Sequence, residues 1–584
     1  MAKKVLLGNE AIVKGALAVG VDFVSGYPGC PSSEIGDEFG KLSRLQSNRG
    51  SSMPTLSASG QKNYGVYAEW SANEKVALEA AIGASFSGLK SLVNMKSFGI
   101  NVCSDSLFPL AYTGTKAGMV IFVGDDPSCH SSAQSEQDSR GYAYLSHIPV
   151  LDPSSPQECY DFTKLGFEIS EKFNIPVIVR STTRVAHQRA PVVFEVPKKK
   201  EIRKGEFVKN THQFCTMPPR VLEMKKELLE KVKKIQAYAE KSKANYVTEK
   251  SNSKIGIIAT GISYFYVMEA LQELGSDLPI LKLGFFYPLP EKLIADFIKT
   301  KKKILIAEET DPYLEKEIIA LAKSVNPKLE IYGKNVLPEV GELNTEKVIV
   351  ALSKILKIKS LKNSLERSLR GILSSNGNWK LKIPVRTARL CEGCPYWHVF
   401  PAIKRAAPEE TIFGGDIGCN MIAGLEPHNM QDYLFSMGAS MGISHGVAKS
   451  LEKKAEGPEP RRRVISIIGD GTFFHAGIPG LINAVYNKSN PLIVVLDNRI
   501  TAMTGHQQNP GMGKTLMGED VEEIKIEEIT KACGVKHIKV LDPINMKELE
   551  GAIKEFLQKD EVSVIICRRI CALLERRQKR EHGK

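Results

Sequence analysis

The chain has 584 residues, 42% hydrophobic and 25% charged, the balance of an ordinary globular protein of roughly three or four domains. No apolar run is long enough to cross a bilayer, and the first ten residues lack the apolar core and cleavage site of a signal peptide, so a cytoplasmic protein with no membrane contact is expected. The net charge of +13 is dispersed over Lys198–Lys204, 224–254, Arg461–Arg463 and the tail from Arg576, with no nucleic-acid-binding motif beside it, which argues for a solvated face or a surface for acidic electron carriers, not for nucleic acid.

Residues 1–195 read as alternating strands and helices, with strands over Val21–Ser25, Met119–Gly124 and Pro176–Arg180 and an Ala-rich helix over Glu74–Ser87. This alternation predicts a parallel sheet covered on both faces. Residues 196–253 are rich in Lys and Glu, with helical spacing from Val221 to Ala244, and read as a connector carrying an exposed helix. A second α/β unit spans 254–355, with a strand Ile255–Ala259, a helix Tyr264–Glu273 and a strand Ile304–Ala307. A polar linker over 356–385 leads to a third α/β unit, 386–584.

The third unit carries the strongest local signal. Val464–Ile468 is a strand-type run ending at Gly469-Asp470-Gly471, whose glycines let the backbone approach a phosphate closely. A helix follows, and its free N–H groups favour an anion. A second strand, Leu492–Leu496, delivers Asn498 after one strand–helix–strand crossover. Asp470 and Asn498 offer hard oxygen ligands suited to magnesium holding phosphates. The alternative is an ordinary strand–helix turn with a surface Asn.

Eleven cysteines in an intracellular chain favour ligands or core residues over disulfides. Cys391 and Cys394 form a CxxC, Cys419 lies in a Gly-rich turn, and Cys571 follows near the end. Four thiolates suit a [4Fe–4S] cluster or structural zinc, and softness alone does not choose between them or exclude buried spectators.

Together these elements resemble the alpha subunit of indolepyruvate:ferredoxin oxidoreductases, thiamine-dependent 2-oxoacid oxidoreductases, over about 7–574. The motifs are Gly8-Asn-Glu-Ala-Ile, Gly26-Tyr-Pro-Gly-Cys-Pro-Ser-Ser-Glu34, Glu69-Trp-Ser-Ala-Asn-Glu-Lys75, Asp126-Pro-Ser, Ser135-Glu-Gln-Asp-Ser-Arg140, Cys391-Glu-Gly-Cys-Pro395, Gly415-Asp-Ile-Gly-Cys419, Ser436-Met-Gly-Ala-Ser440, the Gly469–Gly471 stretch and Thr501-Ala-Met-Thr-Gly-His506. The resemblance implies a pyrimidine-binding domain (1–195), a transketolase C-terminal-like domain (254–355) and a diphosphate-binding domain (386–584) in a multi-domain α/β fold. It implies thiamine diphosphate, Mg2+ and a [4Fe–4S] cluster as cofactors.

It also implies site roles. Glu74 matches the glutamate that hydrogen-bonds the aminopyrimidine; its plain alternative is a helix-start residue favoured by the helix dipole. Asp470, Asn498 and the carbonyl of Ile500 match the magnesium ligands, and Gly469, Gly471 and Thr472 the diphosphate lining. Met437 or Met441 would support the cofactor, unless either is simple core. Cys30 lies in the turn near the reactive carbon. Arg140 would meet the substrate carboxylate or else pair with Asp138. His475 and His506 would donate to substrate, or serve as orienting or core histidines. Cys391, Cys394, Cys419 and Cys571 match the cluster ligands.

The implied function is oxidative decarboxylation of a 2-oxoacid, by default an arylpyruvate such as indolepyruvate, to an acyl-CoA. Coenzyme A, a ferredoxin-like electron carrier and a small beta-type subunit are the implied partners, in a dimer of heterodimers. Three departures stand out. Cys30 replaces the Thr usual in this turn, Tyr396-Trp397 replaces a His-Arg pair, and no CxxCxxC run follows Cys571, where resembling subunits carry a ferredoxin-like domain. The last departure predicts direct electron exit to a separate protein. It also motivates an alternative, a non-redox thiamine-dependent decarboxylase or carboligase. A non-catalytic scaffold subunit is a third reading, opposed by the presence of Glu74, Asp470 and Asn498.

Overall fold

Runs such as Ser91–Lys96 and Met119–Asp125 are buried along their whole length without period-two alternation, the pattern of strands covered on both faces. The computed structural model describes residues 1–47, 64–131, 133–197, 203–248, 253–358, 388–452 and 462–581. It divides into two compact units, Met1–Val385 and Arg386–Lys584. The fold is multi-domain α/β with sheets dominated by parallel pairing.

The strands of the first unit are β1 (Ala2–Leu7), β2 (Phe23–Gly26), β3 (Tyr67–Trp70), β4 (Ser91–Lys96), β5 (Met119–Asp125), β6 (Val150–Leu151), β7 (Val177–Thr182), β8 (Arg189–Phe194), β9 (Tyr246–Val247), β10 (Ile255–Thr260), β11 (Ile280–Leu283), β12 (Phe285–Tyr287), β13 (Lys303–Ala307) and β14 (Glu330–Tyr332). A seven-stranded sheet runs β12-β6-β7-β5-β4-β2-β3, parallel except where β12 meets β6. A five-stranded sheet runs β14-β13-β10-β11-β9, with only β9 antiparallel. β1 and β8 form an antiparallel pair of their own.

Two features join the 1–195 and 254–355 regions of this unit. One is β12, which leaves the second region to extend the first sheet. The other is the helix Arg220–Ala239, expected in the connector 196–253 as an exposed element. It buries Met224, Leu228, Ile235 and Ala239 along one face, while Tyr238 donates to Glu168 at 2.7 Å and Gln236 to the Leu289 carbonyl at 3.1 Å. Apolar residues at helical spacing beneath a Lys- and Glu-rich surface account for both properties. The expected linker 356–385 lies, beyond residue 358, outside the described residues.

Buried charge ties the same two regions together. Arg140 donates through Nε to Asp138 Oδ1 at 2.9 Å, through Nη1 to Glu308 at 3.0 Å and through Nη2 to Asp138 Oδ2 at 2.6 Å and the Glu309 carbonyl at 2.7 Å. Arg180 pairs with Asp125 at 2.8 Å and Asp152 at 3.3 Å. Thr310 donates to Asp138 and Thr260 to Asp152. Burial raises the carboxyls of Asp125 and Glu308, whereas Asp138 overcomes its own burial through Arg140 and Arg180 and stays below the usual range.

The second unit holds β15 (Ile412–Gly414), β16 (Val464–Gly469), β17 (Leu492–Asp497), β18 (His537–Leu541) and β19 (Ser563–Arg568) in an all-parallel sheet of order β15-β16-β17-β19-β18. Among the described residues, no helix is long and apolar enough to cross a membrane.

Burial lifts the Glu309 carboxyl from an ordinary 4.5 to about 7. Between those values the folded state holds a proton that the unfolded chain has released, so this group makes stability fall as pH rises, with no further change above about 7. Glu309→Gln keeps an acceptor for the Leu343 N–H, now bonded at 3.0 Å. Urea unfolding followed from pH 4.5 to 8 is expected to show a flatter profile for the variant and greater stability than the wild type above pH 7; parallel profiles would refute the assignment.

Candidate active site

In an open parallel sheet the carboxyl ends of the strands are where loops gather chemistry. The second unit follows this rule closely. Asp416 and Cys419 follow β15, Asp470 follows β16, Asn498 follows β17 and Cys571 follows β19.

Asp470 is 4% exposed, and its oxygens accept from Gly471 N at 2.8 Å and from Asn509 Nδ2 at 3.0 Å. Burial, reinforced by the Asp497 carboxylate, pushes its carboxyl up to about 7. A buried acid facing a second acid is a place that a cation stabilises, so the donor chemistry fits a magnesium ion. Asn498 is also buried. Its Oδ1 accepts from Ile500 N at 3.1 Å, and its Nδ2 donates to the Tyr396 hydroxyl at 3.0 Å. Thr472 donates to the Ile417 carbonyl at 3.0 Å, tying the Gly469–Gly471 turn to the turn after β15. A Cβ on Gly471 would sit 2.9 Å from Thr501 Oγ1, so any larger residue would force the Thr501 side chain to shift.

The thiols lie next to these oxygens. The Cys391–Cys394 turn closes with Cys394 N on the Cys391 carbonyl at 3.1 Å, and Gly393 takes a φ of 76° that favours glycine. Trp397 Nε1 donates to the Cys391 carbonyl at 3.1 Å. The helix Ala572–Glu581 brings Arg576 to the Glu392 carbonyl at 3.2 Å, so Cys571, at its start, approaches the CxxC. Cys571 N donates to the Asn498 carbonyl at 3.0 Å, and its Sγ lies 3.6 Å from His506 Nε2. Burial pushes Cys394 up to about 11 and Cys419 up to about 12, and each is raised further by the other thiols of the quartet. Mutual repulsion of this kind is relieved by a cationic centre that holds thiolates. The donor set therefore fits an iron–sulfur cluster or zinc, although no three Cys, His, Asp or Glu among the described residues are gathered tightly enough as placed to form a metal-holding group. Tyr396 stands between the thiols and the oxygens; burial, then Asp470 and the thiols, raise its hydroxyl well above the ordinary value.

The remaining expected residues divide. His475 is buried in a π-helical turn, Phe473–Gly477, a distortion frequent at functional sites. Met441 packs with Ile468, Phe473 and Leu481 in a core cluster, which is its core alternative, while Met437 is half-buried in the turn before the helix Ala439–Glu452. In the first unit, Glu74 is buried at the start of the helix Glu74–Phe86, capped by Asn73. Cys30 is half-buried in the turn after β2, and burial raises its thiol. Arg140 differs from the substrate-binding expectation: its guanidinium is buried and committed to Asp138, Glu308 and backbone carbonyls, the arrangement of the ion-pair alternative.

Two contributors were not singled out from the sequence. Asn509 holds Asp470, and its only local sign is an Asn before Pro510. Asp416 accepts from Ile417 N, Gly438 N and Ser440 N at 2.7, 2.9 and 3.1 Å, joining two of the motif turns.

A parallel-sheet unit with an acidic turn after one strand and an Asn after the next is the arrangement that the resemblance to thiamine diphosphate-binding enzymes implies, and the family matches show that class. Residues 416–567 match the family described as thiamine pyrophosphate enzyme, C-terminal TPP binding domain, and residues 14–255 match pyruvate flavodoxin/ferredoxin oxidoreductase, thiamine diP-bdg. The chain is 42% identical over 579 residues to the indolepyruvate oxidoreductase subunit IorA of Methanothermobacter marburgensis, covering 98% of this chain and 87% of that protein. It is 40% identical over 586 residues to the subunit of the same name from Archaeoglobus fulgidus, covering 100% and 88%. A 2-oxoglutarate synthase subunit KorA from M. marburgensis is 32% identical over 214 residues, 34% of this chain and 52% of that one. The chain belongs to the IorA family of indolepyruvate oxidoreductase subunits.

Tyr396→Phe removes one hydroxyl and frees the Asn498 amide to rotate. Calorimetry is expected to show thiamine diphosphate with magnesium binding about 5- to 10-fold more weakly, the worth of one hydrogen bond; unchanged affinity would show that Asn498 is held by other contacts.

Proposed function

We propose that this chain is the catalytic subunit of a thiamine diphosphate-dependent 2-oxoacid oxidoreductase, acting on arylpyruvates of the indolepyruvate type with coenzyme A as acyl acceptor. The observation that carries the reading is the convergence of Asp470, Asn498, Tyr396 and four cysteines at the carboxyl edge of one parallel sheet, in a chain whose full-length relatives are named oxidoreductase subunits. In this reading Asp470, Asn498 and the Ile500 carbonyl hold magnesium and the diphosphate. Gly469, Gly471 and Thr472 line the same place, with His475 and His506 beside it. Cys391, Cys394, Cys419 and Cys571 hold a [4Fe–4S] cluster. Bound there, the thiamine cofactor supplies the means to cleave the bond to the carboxylate carbon, and the cluster supplies one-electron transfer.

The chain's own residues do the positioning. Glu74 offers a buried carboxylate to the aminopyrimidine and sets its proton inventory. Tyr396 fixes the Asn498 amide, so the residue that faces the thiols also orients the magnesium corner. The resemblance assigns Cys30 of the first unit and Met437 of the second to cofactor binding. A small beta-type subunit, a ferredoxin-like carrier, a dimer of heterodimers and a cytoplasmic location complete the reading. The non-redox decarboxylase or carboligase is not favoured, because the relatives that match along the whole chain are oxidoreductase subunits.

The test is electron paramagnetic resonance of anaerobically purified protein reduced with dithionite, with iron analysis. A reduced [4Fe–4S] signal with matching iron supports the reading; a silent sample containing zinc overturns its electron path. Cys394→Ser is expected to lose the signal and acceptor reduction, and full iron content in that variant would remove Cys394 from the ligand set. Glu74→Ala is expected to cut turnover at least about 100-fold, the scale of lost acid–base catalysis, while calorimetry still detects thiamine diphosphate with magnesium. Turnover at the wild-type rate would end the assignment of Glu74.

A further inference from the structure

Lys96 ends β4 and is 8% exposed. Arg180 and Lys282, buried cations of the first unit, meet the carboxylates of Asp125 and Glu158, while Lys301 at the rim donates to the Ser253 carbonyl at 2.8 Å. Lys96 Nζ instead donates to a neutral hydroxyl, Ser131 Oγ, at 2.8 Å, and no carboxylate among the described residues pairs with it directly. Asp126 is the acid that acts on it most strongly, but its oxygens are taken by Ser131 N, Ser131 Oγ and Thr183 Oγ1 at 2.8, 2.6 and 2.7 Å. Burial lowers the lysine's hold on its proton, and Asp126 offsets this only in part. A buried cation lacking a paired anion is costly unless something supplies the anion.

The location says what that anion is. Lys96 lies at the carboxyl edge of the seven-stranded sheet, at the start of the helix Ser97–Thr113. A Cβ on Gly29 would lie 2.7 Å from Lys96 Cβ, so the Cys30 turn packs on this lysine. A Cβ on Gly99, three residues further on, would lie 2.6 Å from Glu74 Cγ. Lys96 thus packs against the turn carrying Cys30, and the helix that it precedes packs against Glu74, the carboxylate assigned to the aminopyrimidine. Arg140, the other cation considered for the substrate, is committed elsewhere. We propose that Lys96 binds the carboxylate of the 2-oxoacid substrate, an inference that rests on the function proposed above.

The test uses the holoenzyme with its partner subunit, phenylpyruvate as substrate and a viologen dye as acceptor. Lys96→Gln keeps a donor for Ser131 and removes the charge. It is expected to raise KM for phenylpyruvate roughly 10- to 100-fold, the worth of a hydrogen bond to a charged group, with kcat within about threefold. Lys96→Arg is expected to restore much of the loss. The unfolding midpoint and thiamine diphosphate affinity should match the wild type in both variants. An unchanged KM in Lys96→Gln, or a loss of thiamine diphosphate affinity equal to the loss of activity, would overturn the proposal. A wild-type holoenzyme that binds thiamine diphosphate yet turns over neither phenylpyruvate nor indolepyruvate would overturn the functional reading, and this inference with it.

Discussion

Two buried arginines hold the first unit together. Arg140 and Arg180 sit among Asp125, Asp138, Asp152 and Glu308, contributed by strand ends of the seven-stranded sheet, by the turn before the helix Gly141–Ser146 and by the loop after β13. The carboxyls outnumber the two guanidiniums, and burial holds those of Asp125 and Glu308 above their ordinary values. The same desolvation keeps the Glu309 carboxyl up at about 7. Such a network adds little net stability, because burying ions is expensive, but removing one member strands the others. Its effect is to fix geometry: Asp138 is shared by Arg140, Arg180 and Thr310, so the 1–195 and 254–355 regions have one arrangement that satisfies all three. The edge that carries Lys96 and Glu74 belongs to the sheet this network braces.

The second unit uses the opposite arrangement. Asp470 is buried beside Asp497 without an ion-pair partner among the described residues, whereas Asp497 is met by Arg568 at 2.7 Å. One carboxylate of the pair is neutralised by protein, and the other is the one proposed above to hold magnesium. Asn509 and Gly471 supply only neutral donors to Asp470, enough to aim it but not to cancel its charge. The thiols show the same economy, since the groups that act on Cys394 and Cys419 are chiefly other thiols of the quartet, and no basic side chain among the described residues is a main influence on either. Lys96 mirrors this with the sign reversed. In each case the missing counter-charge points to the chemistry of what binds.

Tyr396 connects the two kinds of site in the second unit. Its place in the sequence, directly after Cys-Pro, marked it as a departure from the resembling subunits, and its hydroxyl meets the side chain of Asn498, whose backbone carbonyl in turn accepts from Cys571. Substitution at one position thus reaches both the thiol and the oxygen groups through two hydrogen bonds, a constraint that pairwise motif matching does not reveal.

The local elements were legible in the sequence, because hydrophobic runs and turn residues act over a few neighbours. Strands at Met119–Asp125, Ile255–Thr260, Val464–Gly469 and Leu492–Asp497 and the helix Glu74–Phe86 stand within a residue or two of where periodicity puts them. The Gly469–Gly471 turn and the CxxC were readable for the same reason. What the tertiary structure alone decided is which charges meet. Arg140 is 168 residues from Glu308, Tyr396 is 102 from Asn498, and Asn509 is 39 from Asp470. The burial of the helix Arg220–Ala239 and the transfer of β12 to the first sheet are long-range matters of the same kind. A sequence window shows that a residue is charged or apolar; whether that charge is spent inside the fold or kept for a ligand depends on partners that only the folded chain brings within 3 or 4 Å, the range at which hydrogen bonds and ion pairs act.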